Sequence, residues 1–315
     1  MAERRAGAVE RLRRAADASR VLVVGSLNVD LILRAGHEPG DEGTVVLDSV
    51  TRAVGGHAGN CAAALAALGL RVTLLAGIGD DADGDALHAD LTARGVDTTA
   101  VRRFPGAATG TVYIPVFGTK HYMMMARGAN DRLTAADVAP ALAGGVDAVM
   151  LFDPARPALL EILSTVRGPL LCWSPGGIYA RDPGAAELAA VCDVVLVNRD
   201  EQRHLTRSSA ARSPAELVVT LGEAGSTVRT PDGEWTAPAS RVDAVDPTGA
   251  GDAFAASYLL ARLAGLAPAE RLAAGNAAGA LAVTAVGARA RLATVADLAA
   301  ALDSSALDRD GKRDR

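Results

Sequence analysis

The sequence predicts an α/β fold in which a mainly parallel sheet lies between two layers of helices. Short apolar runs typical of buried strands alternate along the chain with longer stretches of helical apolar spacing. Such alternation indicates crossover connections, and a parallel sheet built in this way is covered by helices on both faces. The 315 residues, 50% of them hydrophobic and 22% charged, are enough for a sizeable core. No internal repeat or linker divides the sequence into two domains.

The predicted strands of the main sheet are short and rich in valine and leucine. They cover 21–25, 71–76, 147–152, 169–173 and 193–197. The clearest helical patterns cover 59–68, 85–94, 134–142, 158–166 and 253–264. Two further strand pairs leave the main sheet, because turns rich in Gly or Pro join their members. They are 31–34 with 44–47, and 109–117 with 120–125, where the run Met123–Met125 fits apolar filling of the small sheet.

Composition and charge exclude several classes of function. A net charge of -5 argues against a general nucleic-acid binder. Three cysteines, Cys61, Cys172 and Cys192, are odd in number and far apart, which indicates reduced thiols in a cytoplasmic protein. No apolar run has membrane-spanning length, and the Arg-rich first 20 residues lack the apolar core of a secretory signal. We predict one domain over 20–302, with 1–19 and 303–315 as terminal extensions.

The stretch Asp246-Pro-Thr-Gly-Ala-Gly-Asp252 has the chemistry of an anion site beside a base. Gly249, Ala250 and Gly251 carry no bulky side chain, so backbone N–H groups can converge at the start of the helix that follows. Asp252 would then lie beside a bound phosphate, where a carboxylate can take a proton from an attacking hydroxyl. Taken alone, the stretch also fits an ordinary capped helix behind a glycine-rich turn.

A second glycine-rich stretch, Gly55-Gly-His-Ala-Gly-Asn-Cys-Ala62, opens an alanine-rich helix far upstream. Together and in this order, the two stretches resemble the two signatures of the PfkB (ribokinase-like) sugar and nucleoside kinases. The resemblance covers about residues 20–300. It implies a ribokinase-like three-layer α/β/α sandwich with a small β lid, whose strands come from about 31–50 and 108–126. Such a lid limits wasteful ATP hydrolysis by excluding water, and its exposed face allows a homodimer.

Three polar residues near strand ends are candidates for substrate binding. Asp30 follows the first strand at its carboxyl end, where open α/β sheets bind ligands. The resemblance implies that this carboxylate accepts hydrogen bonds from sugar hydroxyls, with Asn28 as a weaker contact. Asp153, just after another strand, fits either a substrate contact or a turn residue.

The upstream glycine stretch supplies the other substrate candidates. By resemblance Gly56 and Asn60 line the sugar pocket, where paired glycines let the backbone approach a ligand closely. His57 occupies a position that carries lysine in ribokinases, and this departure counts against ribose as the substrate. The sequence of this glycine stretch, together with that of Asp246–Asp252, is also similar to the corresponding motifs of some bacterial nucleoside kinases.

The resemblance also implies a site for MgATP. Asn198 and Glu201 match an Asn-x-x-Glu motif that holds waters around Mg²⁺, and the same pair fits a helix capping box. Thr220, Gly222 and Gly225 belong to a Thr-Leu-Gly-x-x-Gly turn like those that contact nucleotide.

Two further features of the family concern the end of the chain. Asn276 falls where relatives contact adenine, although an Asn in a buried alanine-rich helix also suits a structural hydrogen bond. Several relatives hold a monovalent cation near Asp246 and the loop 282–287. The sequence of this loop does not closely match the loops of those relatives, so we assign no potassium site.

These residues together predict an ATP-dependent sugar kinase. The γ-phosphoryl group would pass to a primary hydroxyl of a ribose- or fructose-like sugar, with Asp252 as the general base. A nucleoside kinase of the adenosine or cytidine type is the alternative, which the aromatic content of 3% disfavours because bases stack on aromatic rings. A non-catalytic binding protein that kept the kinase fold is a third interpretation. It has no need for the combination of Asp252, the small-residue turn and the Asn-x-x-Glu motif.

Overall fold

The computed structural model describes residues 2–41, 43–118, 120–205 and 214–304. The predicted C-terminal extension lies outside these residues from 305 onward. The helices are α1 (Ala2–Ala18), α2 (His57–Ala67), α3 (Ala82–Ala93), α4 (Val138–Leu142), α5 (Arg156–Thr165), α6 (Gly176–Tyr179), α7 (Ala185–Ala189), α8 (Arg199–Leu205), α9 (Ala250–Leu263), α10 (Pro268–Ala282) and α11 (Val295–Ser304). Short 3₁₀ helices cover Gly128–Arg132, Ala135–Asp137 and Gly222–Ala224.

The strands fall into three sheets. They are β1 (Arg20–Val24), β2 (Asn28–Ala35), β3 (Ser49–Gly55), β4 (Arg71–Leu75), β5 (Gly77–Gly79), β6 (Arg102–Phe104), β7 (Gly110–Phe117), β8 (Lys120–His121), β9 (Met124–Ala126), β10 (Ala148–Leu151), β11 (Leu170–Trp173), β12 (Val194–Asn198), β13 (Glu216–Thr220), β14 (Ser226–Thr230) and β15 (Gly233–Ala237). The main sheet has the order β15-β14-β13-β12-β11-β10-β1-β4, and only β14 and β15 pair antiparallel. β5 and β6 form a separate parallel pair.

Both faces of the main sheet are buried. Successive side chains of a strand point to opposite faces, so Val21 and Val23 join one core cluster while Leu22 and Val24 join another. Helices α1, α2, α9, α10 and α11 contribute to the first cluster, and α4, α5, α7 and α8 to the second. The predicted α/β/α sandwich with a mainly parallel sheet is therefore confirmed. The five predicted core strands agree with β1, β4, β10, β11 and β12 to within one residue at each end.

The second sheet, called the lid below, has the order β3-β2-β7-β8, with β9 also paired to β7. The predicted strand at 44–47 is wrong. Those residues form no strand, and Ser49–Gly55 pairs with β2 instead. The reason lies in the register, because Asn28 faces Gly55 and Arg34 faces Ser49, and β2 ends at Ala35. No length of β2 remains to pair with 44–47.

The N-terminal segment is part of the packed body rather than an appendage. Helix α1 places Leu12 and Ala16 in the core, where they are 0% and 3% exposed. This helix packs against α9, α11 and β4. The predicted domain boundary at residue 20 therefore divides α1 from the core on which it packs. Within the described ranges, none of the helices combines the length and the apolar character needed to cross a membrane.

Candidate active site

The two glycine-rich stretches meet at the carboxylate of Asp252. Asp252 lies in the first turn of α9 and is only 5% exposed. Its Oδ2 accepts a hydrogen bond from Asn60 Nδ2 at 2.9 Å, and its Oδ1 lies 3.0 Å from His57 Nδ1. Both partners belong to the first turn of α2, although they precede Asp252 by 192 and 195 residues. Helix α2 and helix α9 therefore begin at one shared site.

His57 contributes a positive charge to this site. The negative charge of Asp252 raises the pKa of His57 above its ordinary value of 6.5. Half of the side chain remains exposed, at 52%, and its ring stacks on Phe152 with 6.1 Å between centroids. An imidazolium next to a carboxylate follows at neutral pH.

The turn before α9 requires glycine at one position. Gly249 has a φ of 80°, and a Cβ there would lie 2.5 Å from the Cβ of Ala288. Asp246 holds the turn from outside, since its Oδ1 accepts from Thr248 N at 2.9 Å and its Oδ2 from Gly287 N at 2.8 Å. The leading N–H groups of a helix have no acceptor within it. At the start of α9, Ala250 N donates outside the helix to Pro247 O at 3.3 Å, so among the described residues the N–H groups of Gly251 and Asp252 are left for an anion.

Asp30 is a buried carboxylate that lacks a hydrogen-bond donor in the part of the chain that the structure describes. It is 8% exposed on β2, and no described residue donates a hydrogen bond to its side chain. Burial, the largest effect, raises the pKa of Asp30 to about 6. A Cβ on Gly55 would collide with this carboxylate, which explains the first glycine of the pair. The second, Gly56, has a φ of 90° and lies against the backbone of Ser26 and Asn28.

Comparisons with known proteins decide the family. The model of the pfkB family carbohydrate kinases matches residues 18–294. The chain belongs to this family. It is 32% identical over 298 residues to an ATP-dependent ribose-1-phosphate kinase of Halopiger xanaduensis, covering 92% of this chain and 99% of that protein.

Two solved structures share the fold. A nucleoside kinase of Methanocaldococcus jannaschii superposes with a TM-score of 0.81 at 20% identity, covering 91% of this chain and 99% of that one. A ribokinase of Arabidopsis thaliana, solved with ribose and ATP, gives 0.80 at 22% identity, covering 91% and 100%. Family membership makes the chain an ATP-dependent phosphotransferase.

Protein partners already engage two of the substrate candidates in this kinase. Asn28 Oδ1 accepts from Asn130 Nδ2 at 2.8 Å, while no described residue takes a hydrogen bond from its Nδ2. Asp153 accepts from Ser26 Oγ at 2.7 Å and from Arg127 Nη1 at 3.3 Å. Asn28 therefore keeps a donor that no described residue uses, whereas Asp153 is held in a partly buried ion pair with Arg127.

Asn198 and Glu201 form the capping box that the sequence allows. Asn198 Oδ1 accepts from the backbone N–H of Asp200 and of Glu201, both at 2.9 Å, and Glu201 Oε2 accepts from Asn198 N at 3.0 Å. Burial raises the pKa of Glu201, and the positive charge of His57 opposes that rise. The second oxygen of Glu201 remains for an outer-shell contact to a metal. Among the described residues, no group of three or more His, Cys, Asp or Glu side chains could hold a metal ion by itself.

The remaining nucleotide candidates lie beyond β13. Gly222 and Gly225 have positive φ values of 62° and 93°, and a Cβ on Gly225 would collide with Ala237 O. Thr220 ends β13 in the same turn. Asn276 donates both amide hydrogens to backbone oxygens, those of Ala237 at 3.1 Å and Pro238 at 3.0 Å. Only its Oδ1 is left for a nucleotide.

Sequence reasoning missed Arg289, whose side chain is 1% exposed and reaches the site from the loop after α10. Its Nε donates to Asn60 Oδ1 at 2.9 Å. It also missed Asn130 and Arg127, which hold Asn28 and Asp153. No local pattern singles out these three residues, because each acts through partners distant in sequence.

Proposed function

We propose that this kinase transfers the γ-phosphoryl group of ATP to a primary hydroxyl of a ribose- or fructose-like sugar, with Asp252 as the general base. The observation that carries the proposal is the meeting of α2 and α9 at the Asp252 carboxylate, through Asn60 and His57. It supports the proposal because a buried carboxylate then lies at a helix N-terminus, where a phosphate is favoured. The partly free lone pairs of Asp252 can accept the proton of the attacking hydroxyl.

The turn at Gly249, Ala250 and Gly251 would bind the transferred phosphoryl oxygens. Backbone N–H groups fixed at a helix start stabilise charge that develops in the transition state without having to reorient. His57, held as an imidazolium by Asp252, adds a positive charge next to the same place. Mg²⁺, when bound with ATP, would neutralise phosphate charge, with Asn198 and Glu201 ordering its water shell.

Asp30 is the residue best suited to bind sugar hydroxyls. It is buried and ionisable, and it lacks a donor among the described residues, so two sugar O–H groups would satisfy it. The free Nδ2 of Asn28 would add a donor on the same strand. A purine or pyrimidine attached to the sugar would need a further apolar surface.

A nucleoside kinase is the alternative within the same chemistry. Several curated relatives carry the names ribose-1-phosphate kinase, deoxyribokinase, ribokinase and nucleoside kinase, which share a ribosyl or deoxyribosyl unit. Another carries the name 2-dehydro-3-deoxygluconokinase, which is a different kind of sugar. A panel of ribose, deoxyribose, ribose 1-phosphate, fructose, adenosine and cytidine, each with MgATP, distinguishes them. A kcat/KM at least tenfold higher for a nucleoside than for any sugar would replace the sugar assignment. Ligand binding without ATP turnover on the whole panel would indicate the non-catalytic interpretation.

The test of the base is Asp252→Asn. General-base catalysis is worth about 10²–10⁴-fold, so kcat should fall by at least about 100-fold while ATP binding persists. Asp147→Asn is the matched control, because Asp147 supports the backbone of Arg20 at the opposite end of the strands. It should retain wild-type kcat. Wild-type turnover in Asp252→Asn would remove the role assigned to Asp252.

We also propose that two copies associate through the outer face of the lid. Exposed Val50, Tyr113 and Met124 share the face of the lid opposite Asp30, and exposed Tyr122 and Met123 lie between β8 and β9. Met125 is also exposed, but it lies on the face that carries Asp30. The predicted filling role of the methionines does not hold, since 44–66% of each is exposed. Contiguous exposed apolar residues favour an interface.

Light scattering should show that the wild type is a dimer and that Met124→Glu is a monomer. Val191→Glu is the control, because Val191 is also apolar and exposed but lies outside the lid, and this variant should remain a dimer. If the wild type is still a monomer at about 100 μM, the dissociation constant of a dimer is weaker than about 10⁻⁴ M and the proposed association is wrong.

A further inference from the structure

Arg289 is a buried arginine that donates to two residues of the site and to one carboxylate on α3. Nε donates to Asn60 Oδ1 at 2.9 Å, Nη1 to Asp90 Oδ2 at 2.7 Å and Nη2 to Gly55 O at 2.8 Å. A buried charge is costly unless it is paired and hydrogen-bonded, and these three acceptors meet that condition. One guanidinium thus joins the start of α2, helix α3 and the end of β3.

The contact with Asn60 determines which way its amide faces. With Oδ1 held by Arg289, Nδ2 faces Asp252 and donates to it. A flipped amide would set its N–H groups against the guanidinium N–H groups and its oxygen against the carboxylate. Both contacts would then be repulsive, so Arg289 selects the orientation that supplies Asp252 with a donor.

The glycine stretch leaves room for this guanidinium. A Cβ on Gly59 would collide with Arg289 Nη2, which gives the third glycine of the stretch a role that the sequence did not reveal. The neighbouring Gly55 accepts from Arg289 and also makes room for Asp30. The same side chain therefore supports both carboxylates assigned to substrate and base.

We propose that Arg289 is a positioning residue for phosphoryl transfer, which fixes the Asn60 carboxamide so that it donates to Asp252. The proposal rests on the proposed role of Asp252 as the base. Arg289 does not touch the reacting atoms in this arrangement. It acts on Asp252 through Asn60, by orientation, and on Asp30 by its charge.

The charges around these groups make the effect measurable by pH. Arg289 faces Asp90 on α3, Arg94 directly after α3, and Asp252 on α9. Asp30 faces His57, Arg289, Asp252 and Asp246, and among these His57 and Arg289 lower its pKa. Loss of the Arg289 charge should therefore move the acid limb of the kcat/KM profile to higher pH. A lysine at 289 would keep that limb in place while losing the planar contact to Asn60.

The experiment compares Arg289→Lys and Arg289→Met with Arg271→Met. Arg271 is another buried ion-paired arginine, bound to Glu216 with 13% of its side chain exposed, and it lies outside the site. With MgATP and the best sugar of the panel, both Arg289 variants should lose at least about tenfold in kcat with little change in KM for ATP. Arg271→Met should keep wild-type kcat where it is folded, and only Arg289→Met should shift the acid limb.

A double-mutant cycle tests whether the effect passes through Asn60. In an Asn60→Leu background, Arg289→Lys should cause no further loss of kcat. The Asn60 side-chain ¹⁵N–¹H signals, identified by their loss in Asn60→Leu, should shift in Arg289→Lys, and this readout needs no turnover. Additive losses in the cycle, unchanged signals, or equal kcat losses in Arg271→Met would each overturn the proposal. Failure of Asp252→Asn to lower kcat would instead refute the proposed base, independently of the amide signals.

Discussion

Replacing Asp30 with asparagine should stabilise the protein at pH 8 and weaken its binding of sugar. The carboxylate has no donor among the described residues, and its burial raises its pKa from the ordinary 3.8 to about 6. Its charge is kept in the folded protein at a cost that only a bound substrate would offset. A stabilising substitution that impairs function is the expected result for such a residue.

The magnitude follows from the pKa. A rise of about two units makes the ionised group about 3 kcal/mol more costly in the folded than in the unfolded chain. Asparagine also buries a polar group, so we expect a gain of about 1–3 kcal/mol in the free energy of unfolding. Between pH 3.8 and about 6 the folded state binds more protons than the unfolded state, so the wild type loses stability as the pH rises through this window.

Urea unfolding at pH 8 and pH 5 measures this difference. The advantage of Asp30→Asn should be full at pH 8, about half as large at pH 5, and absent below about pH 3. Asp153→Asn is the contrast, because Asp153 is equally buried but paired with Arg127 and Ser26, and its variant should be less stable than the wild type. Calorimetric titration with the best sugar should show a Kd raised at least about thirtyfold, the equivalent of about 2 kcal/mol. The reasoning would be refuted if Asp30→Asn were less stable than the wild type at pH 8, or if the difference in their free energies of unfolding did not change with pH.

Two further predictions concern packing. Gly249→Ala should lose about 1–3 kcal/mol of stability and most of kcat, because its φ of 80° and the contact with Ala288 both exclude a Cβ. Gly265→Ala is the control, because Gly265 has a φ of 66° and a Cβ there would have no neighbour within 4 Å. This variant should lose only about 1–2 kcal/mol of stability and retain kcat. Equal losses of kcat in Gly249→Ala and Gly265→Ala would contradict a role in catalysis for the turn before α9. Leu12→Ala should cost about 2–5 kcal/mol in urea unfolding without changing kcat at 25 °C, and a cost below about 1 kcal/mol would mean that α1 is not docked.

Local patterns were sufficient for the core strands and located α9, although that helix begins at Ala250, three residues before the predicted range 253–264. A strand buried on both faces appears as a continuous apolar run, and for that reason β1 and β10 agree with the prediction to within one residue. The run Thr44–Leu47 has the same β-branched character, yet Val46 is 84% exposed and unpaired. Strand propensity could not show that the register of β2 with β3 leaves those residues beyond its end.

Some features of the candidate site could likewise be predicted from local sequence, and others could not. Glycine and aspartate at fixed spacing identified the turn at Gly249 and the candidate base, since a helix start and a positive φ are local requirements. The partners of that base are not local: Asn60 lies 192 residues away, and Arg289 lies 229 residues from Asn60.

The sequence by itself determined the layers of the fold and located the glycine turn before α9 and the candidate carboxylates, because each depends on short-range spacing or on conformational freedom. Only the tertiary structure showed that no described residue donates to Asp30, that Asp153 is paired, and that a buried arginine donates to the amide beside Asp252. Hydrogen bonding and desolvation depend on which distant side chains share a small volume, and no periodicity along the chain records that.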